Sequence, residues 1–297
     1  MQRPLEVPNI AGMNFKECPK VTAIMLTKNN FKYFKLAVDS IIKFGYPNLT
    51  LIVGDTKTDD FTDKMRYKKY FSELSELRKD NELIPNIVLV KDLDYHFSKN
   101  NNQLVKEYTD ESTKYLLFLN NDIELLNNCI HQMVYVFENT EVKNVGTIGC
   151  QLLFADRTIQ HQGINASRDF NNNFALGHKN FQTMNYKYNI EETLGNTAAL
   201  MMIKRNLFLE IGGFDEQFKL FQDAKLNIEC LVKGHTNLLI NHAIAHHFES
   251  KTRKAEGRKH LEKVHKDNIQ LHQDLFKLQP YLRDNVESFK KFVVGVK

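Results

Sequence analysis

Short apolar runs alternate with amphipathic segments over the first half of the chain. The run at 21–26 is apolar and β-branched, which is typical of a buried strand, and it stops at the polar residues 27–30. Further strands are predicted at 49–53, 87–90, 115–119, 145–154, 198–203 and 238–241. Helices are predicted at 34–44, 59–81, 102–111, 130–137, 206–211 and 223–233. Apolar strands that alternate with helices predict an α/β fold, with a mostly parallel sheet covered on both faces.

The second half of the chain has a different pattern. Residues 156–194 are polar and rich in aromatic residues, and we expect a long loop there, which in a compact domain usually serves a function. From residue 256 onward, apolar residues recur at helical spacing, which predicts a C-terminal helical extension that Pro280 interrupts. The apolar residues on one face of this extension are Leu261, Val264, Leu271, Leu275, Leu278, Leu282, Val286, Phe289 and Val293.

Composition and charge narrow the class of protein. With 42% hydrophobic and 26% charged residues in 297, the chain is typical of a globular protein and unlike a disordered or fibrous one. The net charge of +4 is too small a surplus to indicate nucleic acid as a partner. No apolar run approaches the roughly 20 residues of a membrane-spanning helix, and residues 1–8 lack the apolar core of a secretory signal. Four cysteines without a CxxC pair indicate a reducing, cytoplasmic setting.

Polar residues gather just past the carboxyl ends of the predicted strands. Asp55 follows the second strand, and Asn120-Asn121-Asp122 follow the strand at 115–119. In open α/β sheets this edge is where ligands bind, and a carboxylate there suits Mg²⁺ or Mn²⁺, which usually also takes substrate phosphates. A polar turn or a helix N-cap explains the same residues without function. The dinucleotide-binding pattern GxGxxG is absent after the first strand.

Three further residues have side chains suited to chemistry. Asp223 begins a predicted helix, where it is either an N-cap or a rigidly held general base. His247 has an imidazole that can ligate a divalent metal, and Arg253 has a guanidinium that suits a diphosphate. Other histidines are interpreted as structural or exposed: His161, His178, His235 and His242.

Six short blocks follow one another in a fixed order along residues 21–253. They are Leu26-Thr27-Lys28-Asn29, Val53-Gly54-Asp55-Thr56, Leu117-Phe118-Leu119-Asn120-Asn121-Asp122, Ile159-Gln160-His161, Gly212-Gly213-Phe214-Asp215-Glu216 and His247-Phe248-Glu249-Ser250-Lys251-Thr252-Arg253. A single block is weakly specific, whereas six in order are strongly specific. In this order the chain resembles the nucleotide-sugar glycosyltransferases of family 2, inverting enzymes with the GT-A fold, and especially their rhamnosyltransferase-like branch.

The resemblance implies a domain organisation. It implies a GT-A catalytic domain at 21–254 with a Rossmann-like central sheet and flanking helices. Within that domain, 21–124 would be the nucleotide-binding half and 145–254 the acceptor-side half. An N-terminal extension at 1–20 and a C-terminal helical extension at 255–297 would complete the chain.

The resemblance also implies a reaction. A hexosyl or deoxyhexosyl group would pass, with inversion, from a nucleoside-diphosphate sugar to a glycan or lipid-linked saccharide, with UDP or dTDP as the favoured carrier. Asp223 would be the catalytic base. The other implied roles are donor binding for Thr27, Asn29, Asp55, Lys99, Asn121 and Arg253, binding of Mn²⁺ or Mg²⁺ for Asp122 and His247, and an acceptor-side position for Gly195, Asn196 and Gln222.

Four positions depart from the pattern of the family, and these substitutions keep an alternative open. Asn120 stands where the DxD motif has its first acid, and Gln222 stands where an acid usually precedes the base. Lys225 stands where a second Asp is frequent, and Leu104 replaces the Gly that often follows the Asn pair. The alternative is a catalytically silent GT-A domain that binds glycan or scaffolds a glycan-synthesis complex. A nucleotidyltransferase ranks lower, because the chain lacks the Gly-rich phosphate loop that such an enzyme needs.

The C-terminal extension mixes basic and apolar residues, as in 289–294. We expect it to pack on the catalytic domain or to form a homodimer contact. A peripheral contact with the inner face of a membrane, where lipid-linked acceptors lie, is the other interpretation.

Overall fold

The computed structural model describes residues 18–169, 173–179, 189–248 and 257–295, apart from the side chains of 257–268. Its strands are β1 (Lys20–Thr27), β2 (Leu49–Asp55), β3 (Asn86–Val90), β4 (Thr113–Leu119), β5 (Ile123–Leu125), β6 (Val145–Leu153), β7 (Ile159–His161), β8 (Ile164–Arg168), β9 (Phe174–His178), β10 (Ile190–Thr193), β11 (Leu200–Lys204), β12 (Thr236–His247) and β13 (Val293–Gly295). Its helices are α1 (Phe31–Phe44), α2 (Phe61–Asp80), α3 (Phe97–Tyr108), α4 (Cys129–Asn139), α5 (Arg205–Glu210), α6 (Gln222–Val232), α7 (Gly257–Asp284) and α8 (Val286–Phe289).

The central sheet has its main strands in the order β10-β12-β6-β11-β4-β1-β2-β3, with β5 paired to β12 and β7 paired to β6. Strands β4, β1, β2 and β3 run parallel to one another, and β12 runs parallel to β6. Strand β11 is antiparallel to both β4 and β6, so those two neighbours share one direction. The predicted mostly parallel sheet is confirmed, and the carboxyl ends of β1, β2, β4 and β12 all reach the same edge.

Helices cover both faces of this sheet because both faces of each inner strand are apolar. In β1, Val21, Ala23 and Met25 pack into a core with α1, α2 and α4, whereas Ile24 points to the other face and packs with α3, α5 and α6. The sheet edge described above is therefore held by packing on two sides.

Most predicted helices and strands of the first half are confirmed, with shifted boundaries. Helix α3 begins at Phe97, five residues before the predicted start. The helix begins there because His96 is its N-cap: His96 Nδ1 accepts the Lys99 backbone N–H at 3.3 Å. Histidine is not among the residues that usually cap helices.

The long loop predicted at 156–194 is wrong in the part that the structure describes. That part contains β7, β8, β9 and β10. Strands β8 and β9 form an antiparallel pair whose Ile164, Ala166 and Phe174 are buried under the C-terminal helices. These strands are three to five residues long, which is too short for apolar and polar positions to show a period, so local periodicity gave no sign of them.

The predicted interruption at Pro280 is also wrong, because α7 continues through it to Asp284. A proline inside a helix costs about 3 kcal/mol. Leu278 and Leu282 on either side are fully buried against α6, β8 and β9, and this packing offsets the cost.

The C-terminal extension packs on the rest of the fold, which is one of the interpretations drawn from the sequence. Leu278, Leu282 and Phe289 share a core with Ile228 of α6, and β13 adds in parallel to β8. Within the described ranges, no helix is long and apolar enough to cross a membrane. All four cysteines lie in these ranges; each is buried, and none forms a disulfide.

Candidate functional site

Three of the predicted donor-binding residues lie together at the carboxyl edge of the sheet. Thr27 and Asp55 are register partners at the ends of β1 and β2. The Asn121 side-chain amide donates a 3.0 Å hydrogen bond to Thr27 Oγ1, which ties the segment after β4 to the end of β1. Asp55 Oδ1 accepts the backbone N–H and the hydroxyl of Thr58, at 2.8 and 2.7 Å. The edge therefore presents a carboxylate whose orientation is fixed by its own turn.

Asn29 belongs to the same edge, where it organises the backbone. Its φ of 51° lies in the left-handed region, which asparagine tolerates better than most residues. Its Oδ1 accepts the N–H groups of Asp59 and Asp60 at 3.0 and 3.1 Å, and its Nδ2 donates to the Asp59 carboxylate at 2.6 Å. That hydrogen bond, followed by the charge of Lys28, lowers the pKa of Asp59. The predicted donor contact of Asn29 stays a prediction.

Lys99 lies in the first turn of α3 with an exposed side chain. In the loop before α3, Asp94 forms an ion pair with Lys57. The hydrogen bond from Lys57 lowers the pKa of Asp94 most, and the charge of Lys99 lowers it further. Leu93 of this loop donates its N–H to the Asp55 carbonyl at 3.0 Å, so the loop before α3 is tied to the end of β2. Arg253 lies outside the described residues, and its phosphate contact stays a prediction.

The two predicted metal ligands face each other. Strand β5 pairs with the end of β12, which sets Ile123 opposite His247, and the Phe248 N–H donates to the Asp122 carbonyl at 3.0 Å. This pairing brings Asp122 Oδ1 to 3.4 Å from His247 Nε2. The side chains are 20% and 9% exposed, so the pair is largely buried but still reaches the surface.

The neighbours of His247 determine which ring nitrogen carries its proton. Nδ1 lies 2.8 Å from Gln160 Oε1. An amide oxygen can only accept, so Nδ1 carries the hydrogen and Nε2 keeps a lone pair. The Asn120 Nδ2 group lies 3.2 Å from Nε2 and donates to that lone pair. His247 thus turns its unprotonated nitrogen toward Asp122, as a metal-binding histidine does.

This pair fits a divalent cation. The His247 Nε2 atom and the Asp122 Oδ1 atom lie 3.4 Å apart, and a cation bound by both would replace the Asn120 amide as the partner of the Nε2 lone pair. Mg²⁺ and Mn²⁺ accept such oxygen and nitrogen donors, and they commonly complete their coordination with water and substrate phosphates. Among the described residues, no three His, Cys, Asp or Glu side chains form a metal-binding group. Asp122 and His247 supply two such donors, so the remaining ligands of a cation bound there would be water or a bound molecule.

Asp223 lies in the first turn of α6, where the sequence predicted it. The N-cap position belongs to Phe221, whose φ is 61°, so the N-cap interpretation of Asp223 is wrong. Its Oδ2 accepts the Ala198 N–H at 3.2 Å and its Oδ1 accepts the Ala224 N–H at 2.8 Å. These bonds fix the carboxylate against the loop before β11, and a carboxylate has further lone pairs with which to accept a proton.

Two of the predicted acceptor-side residues attach the loop before β11 to the core. A Cβ on Gly195 would lie 2.6 Å from Asn227 Cβ, so only glycine fits there. Asn196 is fully buried, and its amide donates to Thr147 Oγ1 at 2.9 Å and to the Leu238 carbonyl at 3.0 Å. Asn227 Oδ1 accepts the Asn196 N–H at 3.1 Å. Gly195 and Asn196 therefore anchor the loop that contacts Asp223.

Gln222, the third predicted acceptor-side residue, begins α6. Its side-chain amide donates to the Lys219 carbonyl at 2.8 Å. The Lys219 N–H in turn donates to Asp274 Oδ2 of α7 at 2.8 Å. Gln222 thus stabilises the turn that precedes Asp223.

A short run of hydrogen bonds joins the metal-ligand pair to Asp223. Asn120, which contacts His247 through its side chain, donates its backbone N–H to the Ala199 carbonyl at 3.0 Å. The preceding residue, Ala198, donates its N–H to Asp223. The candidate cation site and the candidate base are therefore attached to the same turn at the start of β11.

Sequence reasoning gave no role to Gln160 and treated His161 as background, yet both lie on β7 beside the site. His161 is buried, its Nε2 accepts the Thr197 N–H at 3.3 Å, and its Nδ1 lies 2.6 Å from Nδ1 of His178. Burial, and then the charge of His178, holds the pKa of His161 well below its usual range. The available signal was the Ile159-Gln160-His161 block itself, since a three-residue strand has no periodicity to detect.

No family model matches the chain. Over 253 residues it is 27% identical to the O-antigen biosynthesis protein RfbC of Myxococcus xanthus. That match covers 80% of this chain but 18% of RfbC, so the chain corresponds to a small part of this relative.

Solved structures with a similar fold are glycosyltransferases. The mannosyltransferase PcManGT from Pyrobaculum calidifontis, in complex with GDP-Man and Mn²⁺, superposes with a TM-score of 0.53 at 13% identity, over 94% of this chain and 76% of that one. GalNAc-T7 with UDP, GalNAc and Mn²⁺ gives 0.57 at 12% identity, over 77% and 43%. TarS from S. aureus in complex with UDP gives 0.53 at 15% identity, over 77% and 60%. At these identities the likeness establishes the fold, and the chain has the predicted GT-A fold of these glycosyltransferases.

Proposed function

We propose that the chain is a metal-dependent, inverting glycosyltransferase. It moves a hexosyl or deoxyhexosyl group from a nucleoside-diphosphate sugar, with UDP or dTDP as the favoured carrier, to a glycan or lipid-linked saccharide acceptor. The similarity to an O-antigen biosynthesis protein supports a polysaccharide acceptor. Assignment to glycosyltransferase family 2 and its rhamnosyltransferase-like branch belongs to this proposal.

One observation carries the proposal: the Asp122–His247 pair and Asp223 are joined through the turn that begins β11. A transferase of this kind needs a cation where the diphosphate leaves and a base where the acceptor hydroxyl attacks, at a fixed separation. The run of hydrogen bonds from His247 through Asn120 and Ala199 to Asp223 supplies that rigidity.

In the proposed reaction, Asp55 accepts a hydrogen bond from the base of the donor, and Lys99 lies near its phosphates. Asp223 takes the proton from the acceptor hydroxyl as its oxygen bonds to the anomeric carbon. The bond from that carbon to the diphosphate oxygen breaks in the same step, and the electron pair leaves with the nucleoside diphosphate. One displacement of this kind inverts the anomeric configuration.

Asp122 and His247 are the residues that would hold Mn²⁺ or Mg²⁺. A divalent cation bound there supplies Lewis-acid stabilisation of the charge that develops on the leaving diphosphate. Gln160 accepts the Nδ1 hydrogen of His247, which leaves Nε2 as the nitrogen that faces Asp122, and a bound cation would take the place of the Asn120 amide at Nε2.

The test is release of nucleoside diphosphate by the purified chain from UDP-, dTDP- and GDP-linked sugars, with Mn²⁺ or Mg²⁺ and a panel of saccharide acceptors. We expect release that requires acceptor and metal, and proton NMR of the product should show an inverted anomeric centre. Asp122→Ala should abolish turnover and remain folded, because a carboxylate at a sheet edge contributes little to the core. Full activity of this variant in excess chelator would exclude the metal role.

A second candidate is the catalytically silent GT-A domain. The neutral Asn120 in place of an acid favours it, because it leaves the site with a single carboxylate beside His247. This candidate predicts saccharide binding without release of nucleotide from any donor. The donor screen therefore separates the two functions.

A further inference from the structure

The C-terminal helix α7 carries a carboxylate that is fully buried. Asp274 has no exposed surface, and its Oδ2 accepts the backbone N–H groups of Lys219 and Leu220, at 2.8 and 2.9 Å. Its Oδ1 accepts the Gln270 side-chain amide at 2.8 Å. A buried carboxylate is stable only when hydrogen bonds replace its hydration, and these three bonds do so for Asp274.

The two N–H groups that Asp274 holds lie directly before the candidate base. Phe221, the next residue, has a φ of 61°, which an aromatic residue adopts only when its surroundings impose it. Its carbonyl accepts the Lys225 N–H at 2.8 Å and so begins α6. The conformation of 219–221 thus sets where α6 starts and where Asp223 points.

The same helix also fixes α6 from the side. Leu278 of α7 packs in one core with Ala224 and Ile228. The Lys225 ammonium lies 3.8 Å from the centre of the Tyr281 ring, a cation–π contact across the two helices. Helix α7 therefore holds the turn before α6 by hydrogen bonds, and it contacts α6 itself by apolar packing and a cation–π contact.

We propose that Asp274 is a positioning residue for the transfer reaction, which clamps 219–220 so that the Asp223 carboxylate meets the acceptor hydroxyl. This inference rests on the proposed function, because it assumes that Asp223 is the base. It gives the C-terminal extension a part in the chemistry, although no residue of the extension reaches the donor or the acceptor in this proposal.

The test compares Asp274→Leu, which removes both acceptors, with Asp274→Asn, which keeps one oxygen for the two backbone N–H groups. Asp274→Leu should lower kcat for transfer by about tenfold or more, since small displacements of a catalytic group have large effects on rate. Affinity for UDP with Mn²⁺, measured by calorimetry, should change less than threefold. Asp274→Asn should restore kcat to within about threefold of wild type.

Gln279→Leu is the matched control, because Gln279 is a buried polar residue on the same helix. It bonds to the Phe174 N–H and carbonyl of β9, at 2.7 Å each, and not to the 219–220 turn. It should lower the melting temperature as Asp274→Leu does, with kcat close to wild type. Should Asp274→Leu fail to fold, Asp274→Glu keeps the charge but displaces the accepting oxygens, and it should lower kcat by at least threefold.

The outcomes separate this inference from the proposed function. If wild type transfers sugar and the folded Asp274 variants do so at the same rate, the positioning role falls and the proposed function stands. An equal loss of kcat in Gln279→Leu would also overturn it, since any loosening of α7 would then suffice. If wild type transfers no sugar to any acceptor, the proposed function fails and this inference fails with it.

Discussion

At the residue scale, the Asp223 carboxylate already accepts two backbone hydrogen bonds before any acceptor is bound. Asp223→Asn keeps the volume and one accepting oxygen, so stability should fall by about 1 kcal/mol. An amide cannot take the proton of the acceptor, so the transfer rate should fall by ~10²–10⁴, while affinity for UDP changes less than tenfold. Steady-state kinetics and calorimetry measure the two quantities.

The control for this variant is Asp110→Asn. Asp110 is an exposed carboxylate that accepts the Ser112 N–H near the start of β4, at the end of the sheet opposite to the site. The Asp110→Asn variant should transfer sugar at the wild-type rate. Normal transfer by Asp223→Asn would contradict the assignment of the base.

Gln160 is the residue whose effect on the metal pair can be measured without turnover. Gln160→Leu removes the acceptor that holds the Nδ1 hydrogen of His247. Loss of such a partner typically lowers metal affinity by about 10–100-fold, and we expect that range for Mn²⁺ titrated in the presence of UDP and followed by electron paramagnetic resonance. Gln160→Glu retains an accepting oxygen and should bind Mn²⁺ at least as tightly as wild type. Equal affinity in all three proteins would show that Gln160 does not set the tautomer.

The sequence could identify residue types at this scale, but it could not show what each side chain contacts. Asp122 stood out because it follows a strand and His247 because an imidazole can bind a metal, and the structure brings them to 3.4 Å. The resemblance implied ligand contacts for Asn196 and Asn29, yet one is buried in the core and the other orders a loop. A polar residue at a sheet edge can serve a ligand or the backbone, and the local sequence is the same in both cases.

At the element scale, the loop before β11 depends on a glycine that no larger residue can replace. Gly195→Ala would drive a Cβ to within 2.6 Å of Asn227, and overpacking of this kind costs about 1–3 kcal/mol. The melting temperature should fall by several degrees. Gly177→Ala in β9 is the control, because its Cβ would meet only Asn165 Oδ1, at 3.8 Å. If both variants melted at the same temperature, the close packing of this loop against α6 would not matter for stability.

The elements that sequence reasoning found are those with many apolar contacts of their own. Strand β1 and helix α1 have clear periodicity, and both are confirmed. Strands β7 to β10 are three to five residues long, too short to show a period, although β6–β7 and β8–β9 are pairs of strands that are neighbours in the sequence. The break expected at Pro280 is absent because the neighbouring leucines pack against α6 and β8, and the local sequence does not show these contacts.

At the scale of the whole molecule, buried histidines make stability depend on pH. His131 of α4 contacts the Tyr46 ring, its Nδ1 has no hydrogen-bond partner in the described structure, and burial lowers its pKa to about 4. Below about pH 6.5 the unfolded chain binds a proton that the folded histidine does not. The free energy of unfolding should therefore be highest above pH 6.5 and fall toward pH 4, by about 1.4 kcal/mol per pH unit for this histidine. Buried His161 adds to the loss.

Urea unfolding at pH 7 and pH 5 measures this effect. His131→Phe keeps an aromatic ring against Tyr46 and removes the titrating nitrogens. Its loss of stability between the two pH values should be about 2 kcal/mol smaller than that of wild type. An identical loss in both proteins would assign the pH dependence to other groups.

The pairing of β13 with β8 has a consequence for synthesis on the ribosome. Strands β8 and β9 emerge early, but the partner that covers the free side of β8 is among the last described residues to be made. Until then, the nascent chain exposes an open strand edge beside apolar residues that α7 and α8 later bury. Open edges recruit other strands, so premature termination before β13 should yield protein that associates with itself, even though strands β1 to β4 of the central sheet are already made.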